Sequence, residues 1–335
     1  MQFVSLVLIL LACAVSIVGC EMKSSEDSQS TETTVSTTKP PSKSADASET
    51  VSFDSDEGID ALLSEVYEGK PVIHWAKPGL APLFVHEGAD AGRGIGDQMF
   101  GDVQALMPQF HHVNLRLNYP RLLEELRRGS DVCAILHWTP ERDTFMVFSQ
   151  PVVITPSYQL YVSVKGLTRF KQQTGWDGAP ASFDQLLSKS RGLKMAVTPG
   201  QSYGAERDEI IARYVNRVEL VKSFADQRAL IKMLAANRME LVLGFPWVVN
   251  YATELLDIRA DLVKVELNDV PQYEAAYIAC ADTAFGKRIV DAVDSISPSV
   301  HDRSKSYLTR WLTAKESQSY FGVYHAHFIE GAPLP

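Results

Sequence analysis

Several short motifs combine residue types that can bind phosphate or metal. The glycine-rich run 92–96 would cradle a phosphate if it directly followed a strand and continued into Gly-Lys-Ser/Thr, and it does neither. His111 with His112, and His325 with His327, offer imidazole ligands, but each pair lacks a nearby set of carboxylates or cysteines. We therefore expect a turn that starts a helix, exposed loop histidines, and no metal or cofactor.

The amino-terminal segment is apolar and ends in a cysteine. Residues 3–18 carry no charge, and a helix of this length spans only about 24 Å of a hydrocarbon core about 30 Å thick. Gly19-Cys20 resembles the lipobox of bacterial lipoproteins, although no Lys or Arg precedes it. The resemblance implies that 1–19 is a cleaved signal peptide and that Cys20 carries palmitate-type lipid outside the cytoplasm. An uncleaved transmembrane anchor is the alternative.

The segment that follows is polar and acidic. Residues 20–65 are rich in Ser, Thr, Glu and Asp, which predicts a disordered tether. Ten carboxylates and three lysines between positions 21 and 60 account for minus seven of the chain's net charge of −9. The remainder is nearly neutral, and the absence of a basic excess argues against nucleic acid as a partner.

Cysteine usage agrees with export. Of four cysteines, Cys13 and Cys20 belong to the amino-terminal segment, while Cys133 and Cys280 lie outside any Cys-x-x-Cys or Cys/His cluster. Zinc and dithiol redox chemistry are therefore not predicted. In an oxidising compartment we expect Cys133 and Cys280 to pair, and two buried free thiols are the alternative.

Strands and helices alternate along the rest of the chain. Apolar runs at 72–75, 113–117 and 132–136 predict strands, and amphipathic stretches at 95–107 and 119–128 predict helices. A second alternating set follows, with strands at 194–197, 218–221 and 241–243 and helices at 203–214 and 226–237. Successive strand–helix steps predict parallel sheets covered by helices.

Two further strands connect these halves. The runs 158–164 and 275–280 are predicted to carry the chain out of the first half and back into it, with helices near 286–296 and 304–314 completing the first half. The expected lobes are 66–161 plus 273–335, and 162–272, with a hinged ligand cleft between them.

One segment carries a family resemblance. Thr139-Pro140-Glu141-Arg142, followed by Phe148-Ser149-Gln150-Pro151, resembles the T-x-x-E-R…F-S-x-P-Y signature of type II periplasmic solute-binding proteins of the polar amino acid type. Gly200-Gln201-Ser202, run 237–243 and run 285–288 match further family patterns in order. The resemblance covers residues 70–315 and implies an α/β, two-lobe fold with two hinge crossovers.

The resemblance also implies which residues bind the ligand. An arginine at the position of Arg142 grips the ligand carboxylate in the amino acid binders, because its planar guanidinium donates two parallel hydrogen bonds. Thr139 begins the same motif. Ser202 would meet an anion at a helix start. A surface ion pair for Arg142 and a plain helix cap for Ser202 are the alternatives.

Two departures from the family pattern bear on the ligand. His137 stands where the amino acid binders often place a threonine that helps hold the carboxylate. Phe245 stands where they place the aspartate that accepts the ligand ammonium, and Asp97 or Glu87 would be the available substitutes. A buried unpaired ammonium costs several kcal/mol, so a standard amino acid is not the expected ligand.

Aromatic residues replace that chemistry. In this fold the cleft would be lined by loop and strand-end aromatics, which can stack on flat ligands, and core packing is the alternative for each. The set comprises Trp75, Phe84, Trp138, Tyr203, Phe245 and Trp247.

The function expected from these features is capture of a small molecule that carries an anionic group. The protein would be a monomer that delivers its ligand to an ABC permease or reports it to a membrane sensor. No Gly-x-Ser-x-Gly elbow is present, and we expect no enzyme. A dehydratase-like enzyme on the same fold, with Glu141 or His137 as acid or base, is the remaining alternative.

Overall fold

The strands of this computed structural model form two separate β-sheets. The structure describes residues 50–52, 69–222 and 227–334. The predicted signal peptide, Cys20 and most of the predicted tether lie outside these residues. Within the described ranges, no helix combines the length and apolar character needed to cross a membrane.

The strands and helices are bounded as follows. The strands are β1 (Thr50–Ser52), β2 (Val72–Ala76), β3 (His111–Arg116), β4 (Val132–Leu136), β5 (Met146–Pro156), β6 (Gln159–Ser163), β7 (Lys194–Val197), β8 (Glu219–Lys222), β9 (Leu241–Gly244), β10 (Leu262–Val265) and β11 (Tyr273–Ala281). The helices are α1 (Ile95–Leu106), α2 (Tyr119–Arg128), α3 (Leu167–Thr174), α4 (Phe183–Lys189), α5 (Ala205–Arg213), α6 (Gln227–Ala235), α7 (Pro246–Leu256), α8 (Ala284–Thr309) and α9 (Ala314–Tyr324).

The first lobe is built on a six-stranded sheet in the order β1-β3-β2-β4-β11-β5. Strands β1 to β4 pair in parallel, and β11 runs antiparallel to both of its neighbours. Thr50, Val51 and Ser52 fall inside the segment predicted to be a disordered tether. That prediction is wrong for these three residues, because they pair with β3 and extend the sheet by one strand.

The second lobe is built on a five-stranded sheet in the order β10-β6-β9-β7-β8. Strands β7, β8 and β9 pair in parallel, whereas β6 is antiparallel to β9 and β10. The predicted alternation of strands and helices is therefore confirmed in both lobes, since each sheet contains a parallel core with an antiparallel addition.

The chain crosses between the lobes twice. Strand β5 ends at Pro156 in the first sheet, and β6 begins at Gln159 in the second. The predicted boundary at 161–162 is thus too late, because the whole of β6 pairs with lobe-two strands. The return crossing runs from the end of β10 at Val265 to the start of β11 at Tyr273.

The long helix α8 corrects a second expectation. Two helices were predicted here, but one helix runs from Ala284 to Thr309 with Pro298 inside it. A proline within a helix removes one backbone hydrogen bond and costs about 3 kcal/mol. Buried residues on both sides of Pro298 hold the helix on the first lobe, among them Val293 and Val300, and the Ser304 hydroxyl donates to the Val152 carbonyl.

The two body cysteines lie opposite each other in the first sheet. Cys133 of β4 and Cys280 of β11 are register partners, with a Cα–Cα distance of 4.3 Å. Their sulfurs are joined in a disulfide that closes a sequence separation of 147. The disulfide links β4, which precedes the second lobe in the chain, to β11, which follows it.

Candidate functional site

A small pocket lies where the two lobes meet, and we call it the cleft pocket. Ile135, Val153 and Thr155 line it from the first sheet. Ser202, Phe245 and Trp247 line it from the second lobe. Its free space is about 30 Å³, enough for one or two water molecules. Side chains of both lobes leave little free space at the junction, and we call this arrangement of the lobes the closed arrangement.

An aromatic cluster fills the centre of the cleft. The Phe245 ring lies 3.7 Å from that of Tyr158 and 5.1 Å from that of Trp247, measured between centroids, and it is nearly parallel to both. It also stacks on the His137 ring of the first lobe at 5.6 Å. Stacked rings gain about 0.5–1.5 kcal/mol per pair beyond area burial, so this cluster stabilises the closed arrangement.

The local chain direction explains how Phe245 reaches the centre. It directly follows β9 and has an extended backbone, with φ −67° and ψ 135°, and Pro246 then begins α7. A proline fits the first turn of a helix because its missing N–H has no helical partner there. The end of β9 and the start of α7 thus place Phe245 at the lobe junction.

The cleft pocket has no carboxylate among the side chains that line it. Asp97, one candidate substitute, accepts from the Val85 and Gly94 backbone N–H groups and pairs with Lys77 at 3.1 Å. Glu87, the other, is exposed and lies 3.9 Å from Arg116. Within the described residues, an ammonium group in the pocket would therefore meet no carboxylate among the lining side chains.

Arg142 lies beside the pocket without lining it. It begins a short 3-10 helix, and its backbone N–H donates to the Thr139 hydroxyl at 3.2 Å. Its side chain donates through Nη1 to the His137 carbonyl at 2.7 Å and is 4% exposed. Among the hydrogen bonds of the described residues, none is donated by its Nε or Nη2. The guanidinium keeps donor capacity after these contacts.

Ser202 and Tyr203 lead into α5 and interact with its own carboxylate. The Ser202 hydroxyl donates to Asp208 at 2.5 Å, and the Tyr203 backbone N–H donates to the same carboxylate at 2.9 Å. Burial raises the pKa of Asp208. Asp208 thus occupies the position at the start of this helix where an anionic ligand group was expected. The Tyr203 hydroxyl accepts from the Thr198 N–H and packs edge-on against Tyr158.

A buried ionic network joins the second lobe to both crossings. Arg207 of α5 is fully buried and donates to Glu274 at 2.7 Å, to the Ser157 hydroxyl at 2.6 Å and to the Pro271 carbonyl at 2.7 Å. The other Glu274 oxygen lies 3.5 Å from His137 Nδ1. Burial lowers the pKa of His137, so the ring is held neutral.

Sequence reasoning missed Arg207, Glu274 and Asp208. An arginine three residues before the buried Ile210, on the apolar face of a predicted helix, is the signal that identifies Arg207 as a buried cation. Gly204 supports the same network. It has a φ of +94°, and a Cβ there would lie 2.8 Å from Glu274 Oε1. Only glycine fits both constraints.

Three predicted aromatic site residues lie elsewhere. Trp75 and Phe84 pack in the core of the first lobe, with ring centroids 4.9 and 5.2 Å from Phe100. The expectation that they line the cleft is wrong, because β2 is central in its sheet and buries Trp75 completely. Trp138 is 46% exposed, and its indole N–H donates to Asp143.

The glycine-rich run has a packing explanation. A Cβ on Gly94 would lie 2.4 Å from the Leu83 carbonyl, and one on Gly96 would lie 2.6 Å from the Phe84 ring. The run therefore allows the first turn of α1 to pack closely against the preceding loop. The described residues contain no group of three or more potential metal ligands from His, Cys, Asp and Glu.

Two lobes on separate sheets, two crossings and a pocket at their junction define the two-lobe fold of type II periplasmic binding proteins. Among solved structures, the chain is similar to an amino acid ABC transporter substrate-binding protein from Streptococcus pneumoniae bound to L-arginine, with 17% identity, 80% of this chain and 98% of that chain covered, and a TM-score of 0.53.

Two other solved structures show the same sequence identity to this chain and the same TM-score. A periplasmic binding protein of high arginine specificity from Salmonella typhimurium has 17% identity and a TM-score of 0.53, over 72% of this chain and 100% of that one. The periplasmic VFT2 domain of BvgS from Bordetella pertussis has 17% identity and a TM-score of 0.53, over 72% and 94%. No protein-family model and no curated protein matches the chain. The predicted two-lobe α/β fold is confirmed.

Proposed function

We propose that this chain is an extracytoplasmic solute-binding protein whose two lobes close around a small molecule. The observation that carries the proposal is the cleft pocket, which is lined by residues of both lobes and lies near the two crossings. Ligand sites commonly occur at such junctions, because hinge motion there opens and closes the site. The similar structures include a protein bound to L-arginine and a protein of high arginine specificity.

The proposed ligand is flat or apolar and carries one anionic group. The aromatic faces of Tyr158, Phe245 and Trp247 suit the apolar part. Arg142 is the proposed partner of the anionic group, because its Nε and Nη2 retain donor capacity. A zwitterionic amino acid fits less well, since its ammonium would be buried without a partner at a cost of several kcal/mol.

We further propose that Cys20 anchors the protein to a membrane and that a monomer delivers its ligand to an ABC permease. A sensor role is the second candidate. Its support is the likeness to the BvgS VFT2 domain and to a histidine kinase sensor domain of 15% identity. Permease and ATPase genes beside this gene would favour import, and a membrane kinase or cyclase gene would favour sensing.

A melting screen of the full-length protein in detergent tests the function. The screen would contain the twenty amino acids and monoanionic aromatic compounds such as benzoate. A ligand at 100 times its dissociation constant adds about 2.7 kcal/mol of stability. We expect a shift with an aromatic anion and none with the amino acids. A clear shift with one ordinary amino acid would contradict the proposed ligand class, and no shift with any solute would contradict the binding function.

Arg142→Ala then tests the anion partner. Hydrogen bonds to a charged group contribute about 1.5–3 kcal/mol, so calorimetry should show affinity for the anion reduced by about 10-fold to 150-fold. Arg169→Ala, which removes an exposed arginine of the second lobe paired with Glu240, is the matched control and should bind normally. Unchanged affinity in a folded Arg142→Ala protein would remove Arg142 from the site.

A further inference from the structure

Two buried polar atoms in the cleft pocket have no hydrogen-bond partner. They are the Thr155 hydroxyl oxygen and the Trp247 indole nitrogen. Both residues line the cleft pocket, and they are 5% and 2% exposed. Native proteins leave few such atoms unpaired, because a buried polar group without a partner is costly.

The neighbouring polar groups of the pocket are already paired. The Gln201 amide donates to the Tyr158 hydroxyl, the Ser202 hydroxyl donates to Asp208, and His137 Nδ1 lies 3.1 Å from the Ala275 carbonyl. Among the described residues that line the cleft pocket, Thr155 and Trp247 are therefore the two with a buried side-chain polar atom that lacks a partner.

The two atoms belong to opposite lobes. Thr155 lies near the end of β5 in the six-stranded sheet. Trp247 lies in the first turn of α7, shortly after the end of β9 in the five-stranded sheet. A molecule that bonded both would connect the lobes and favour their closed arrangement, because only that arrangement brings both groups to one pocket.

We propose that Thr155 and Trp247 form the hydrogen-bonding pair that recognises the ligand, an inference that rests on the proposed binding function. The indole N–H is a donor only, so it requires an acceptor, and the hydroxyl accepts or donates. A carbonyl or carboxylate group of an otherwise apolar molecule supplies both partners.

The size of the cleft pocket limits which part of the ligand it can hold. A free space of about 30 Å³ holds one or two water-sized groups, which suits a carboxyl or carboxamide group but excludes an aromatic ring. The apolar body of the ligand therefore requires the Phe245 ring to move out of its stack, or the lobes to separate slightly.

The probes are benzamide, benzoate and toluene, the last having the same ring without a hydrogen-bonding group. Each is titrated into the full-length protein and followed by calorimetry. We expect benzamide and benzoate to bind at least about 10-fold more tightly than toluene. Thr155→Val and Trp247→Phe should each weaken benzamide about 3-fold to 10-fold, the size of a neutral hydrogen bond, and leave toluene unchanged.

Two control variants match these changes. Thr174→Val removes a buried hydroxyl that donates to the Phe170 carbonyl at 2.8 Å. Trp176→Phe removes an indole N–H that donates to the Ala179 carbonyl at 2.7 Å. Both lie in the second lobe outside the cleft pocket, so neither variant should alter binding of any of the three probes.

A second measurement does not require a probe. Without ligand, Thr155→Val removes an unpaired buried hydroxyl and should raise the melting midpoint by about 2–4 °C. Thr174→Val removes a paired hydroxyl and should not raise it. A lower midpoint for Thr155→Val would mean that the hydroxyl has a partner in the free protein, and would overturn the assignment.

The outcomes separate this inference from the proposed function. If benzamide and benzoate bind no more tightly than toluene, or bind the two variants as they bind the wild type, the hydrogen-bonding pair is wrong. If another solute from the melting screen still binds, the binding function stands. If Arg142→Ala weakens the binding of benzoate but not of benzamide, Arg142 binds the ligand's negative charge. Thr155 and Trp247 then supply the neutral hydrogen bonds.

Discussion

Phe245 determines the character of the cleft at the scale of single residues. Its ring lies between those of Tyr158 and Trp247 and stacks on His137 across the lobe junction. The position resembles one where amino acid binders hold a carboxylate, and an apolar ring there removes the partner of a ligand ammonium. We propose that this one residue changes the ligand chemistry that the cleft favours without changing the fold around it.

His137 should make stability depend on pH. Burial lowers its pKa below the ordinary value of 6.5, so the unfolded chain binds a proton more readily than the folded protein. Stability is therefore fully present above about pH 6.5 and is lost as the pH falls through the folded pKa. The loss is about 1.4 kcal/mol for each unit by which the pKa is lowered.

The test compares melting midpoints between pH 7.5 and pH 5. His137→Gln should reduce the fall in midpoint seen in the wild type, because glutamine does not titrate. His325→Gln changes an exposed histidine and should leave the wild-type fall in place. Equal slopes for His137→Gln and the wild type would show that the buried ring does not control this dependence.

Helix α5 is the element that fixes the crossings to the second lobe. Arg207 donates hydrogen bonds from this helix to Ser157 in the first crossing, to Pro271 in the second crossing, and to Glu274 in β11. These hydrogen bonds connect the helix to both crossings. Because the arginine is fully buried, its charge is stabilised by these partners in place of water. The Glu274 charge is in turn stabilised by the arginine.

Arg207→Met should destabilise the protein strongly. It leaves Glu274 without its cation, and breaking a buried ion pair typically costs about 3–5 kcal/mol. Urea unfolding gives the free energy of unfolding. Arg213→Met, an exposed arginine of the same helix paired with Asp184, is the control and should leave it nearly unchanged. The double variant Arg207→Met, Glu274→Gln should recover part of the lost free energy of unfolding. A small loss for Arg207→Met alone would show that the Arg207 contacts contribute little to stability.

The whole molecule is organised around the return of the chain to its first lobe. The disulfide between Cys133 and Cys280 spans a separation of 147 residues that contains the entire second lobe. Closing a loop of this length contributes about 4–5 kcal/mol in the chain-entropy model. The bridge is positioned to keep the first lobe intact while the second moves.

The proposed membrane anchor is also a property of the whole molecule. Cys20→Ser should abolish incorporation of labelled palmitate and release the protein from the membrane fraction, because lipidation requires the cysteine sulfur. Cys13→Ser alters the other amino-terminal cysteine and should retain both properties. Palmitate on the Cys20→Ser protein would refute the proposed lipidation site.

Sequence patterning predicted several of the strands and helices and their order along the chain. Strand and helix periodicity placed β2, β4, β7 and α2 within a residue of their observed bounds, since local hydrophobic patterning reports the buried face directly. The chain order of the two halves also predicted the crossings. Cysteine usage pointed to the pair that the structure joins.

The packing of the two lobes determines which of these residues meet in the cleft. Trp75 and Phe245 are both aromatic and follow or form predicted strands, yet one is buried in the lobe core and the other fills the lobe junction. Helix periodicity marks Arg207 as buried but does not indicate its partner, because Glu274 lies 67 positions away. Thr155 has no distinctive sequence signal, because the pocket that it lines is completed by residues of the opposite lobe. Periodicity describes which face of an element is buried, and the packing of two lobes decides what that face touches.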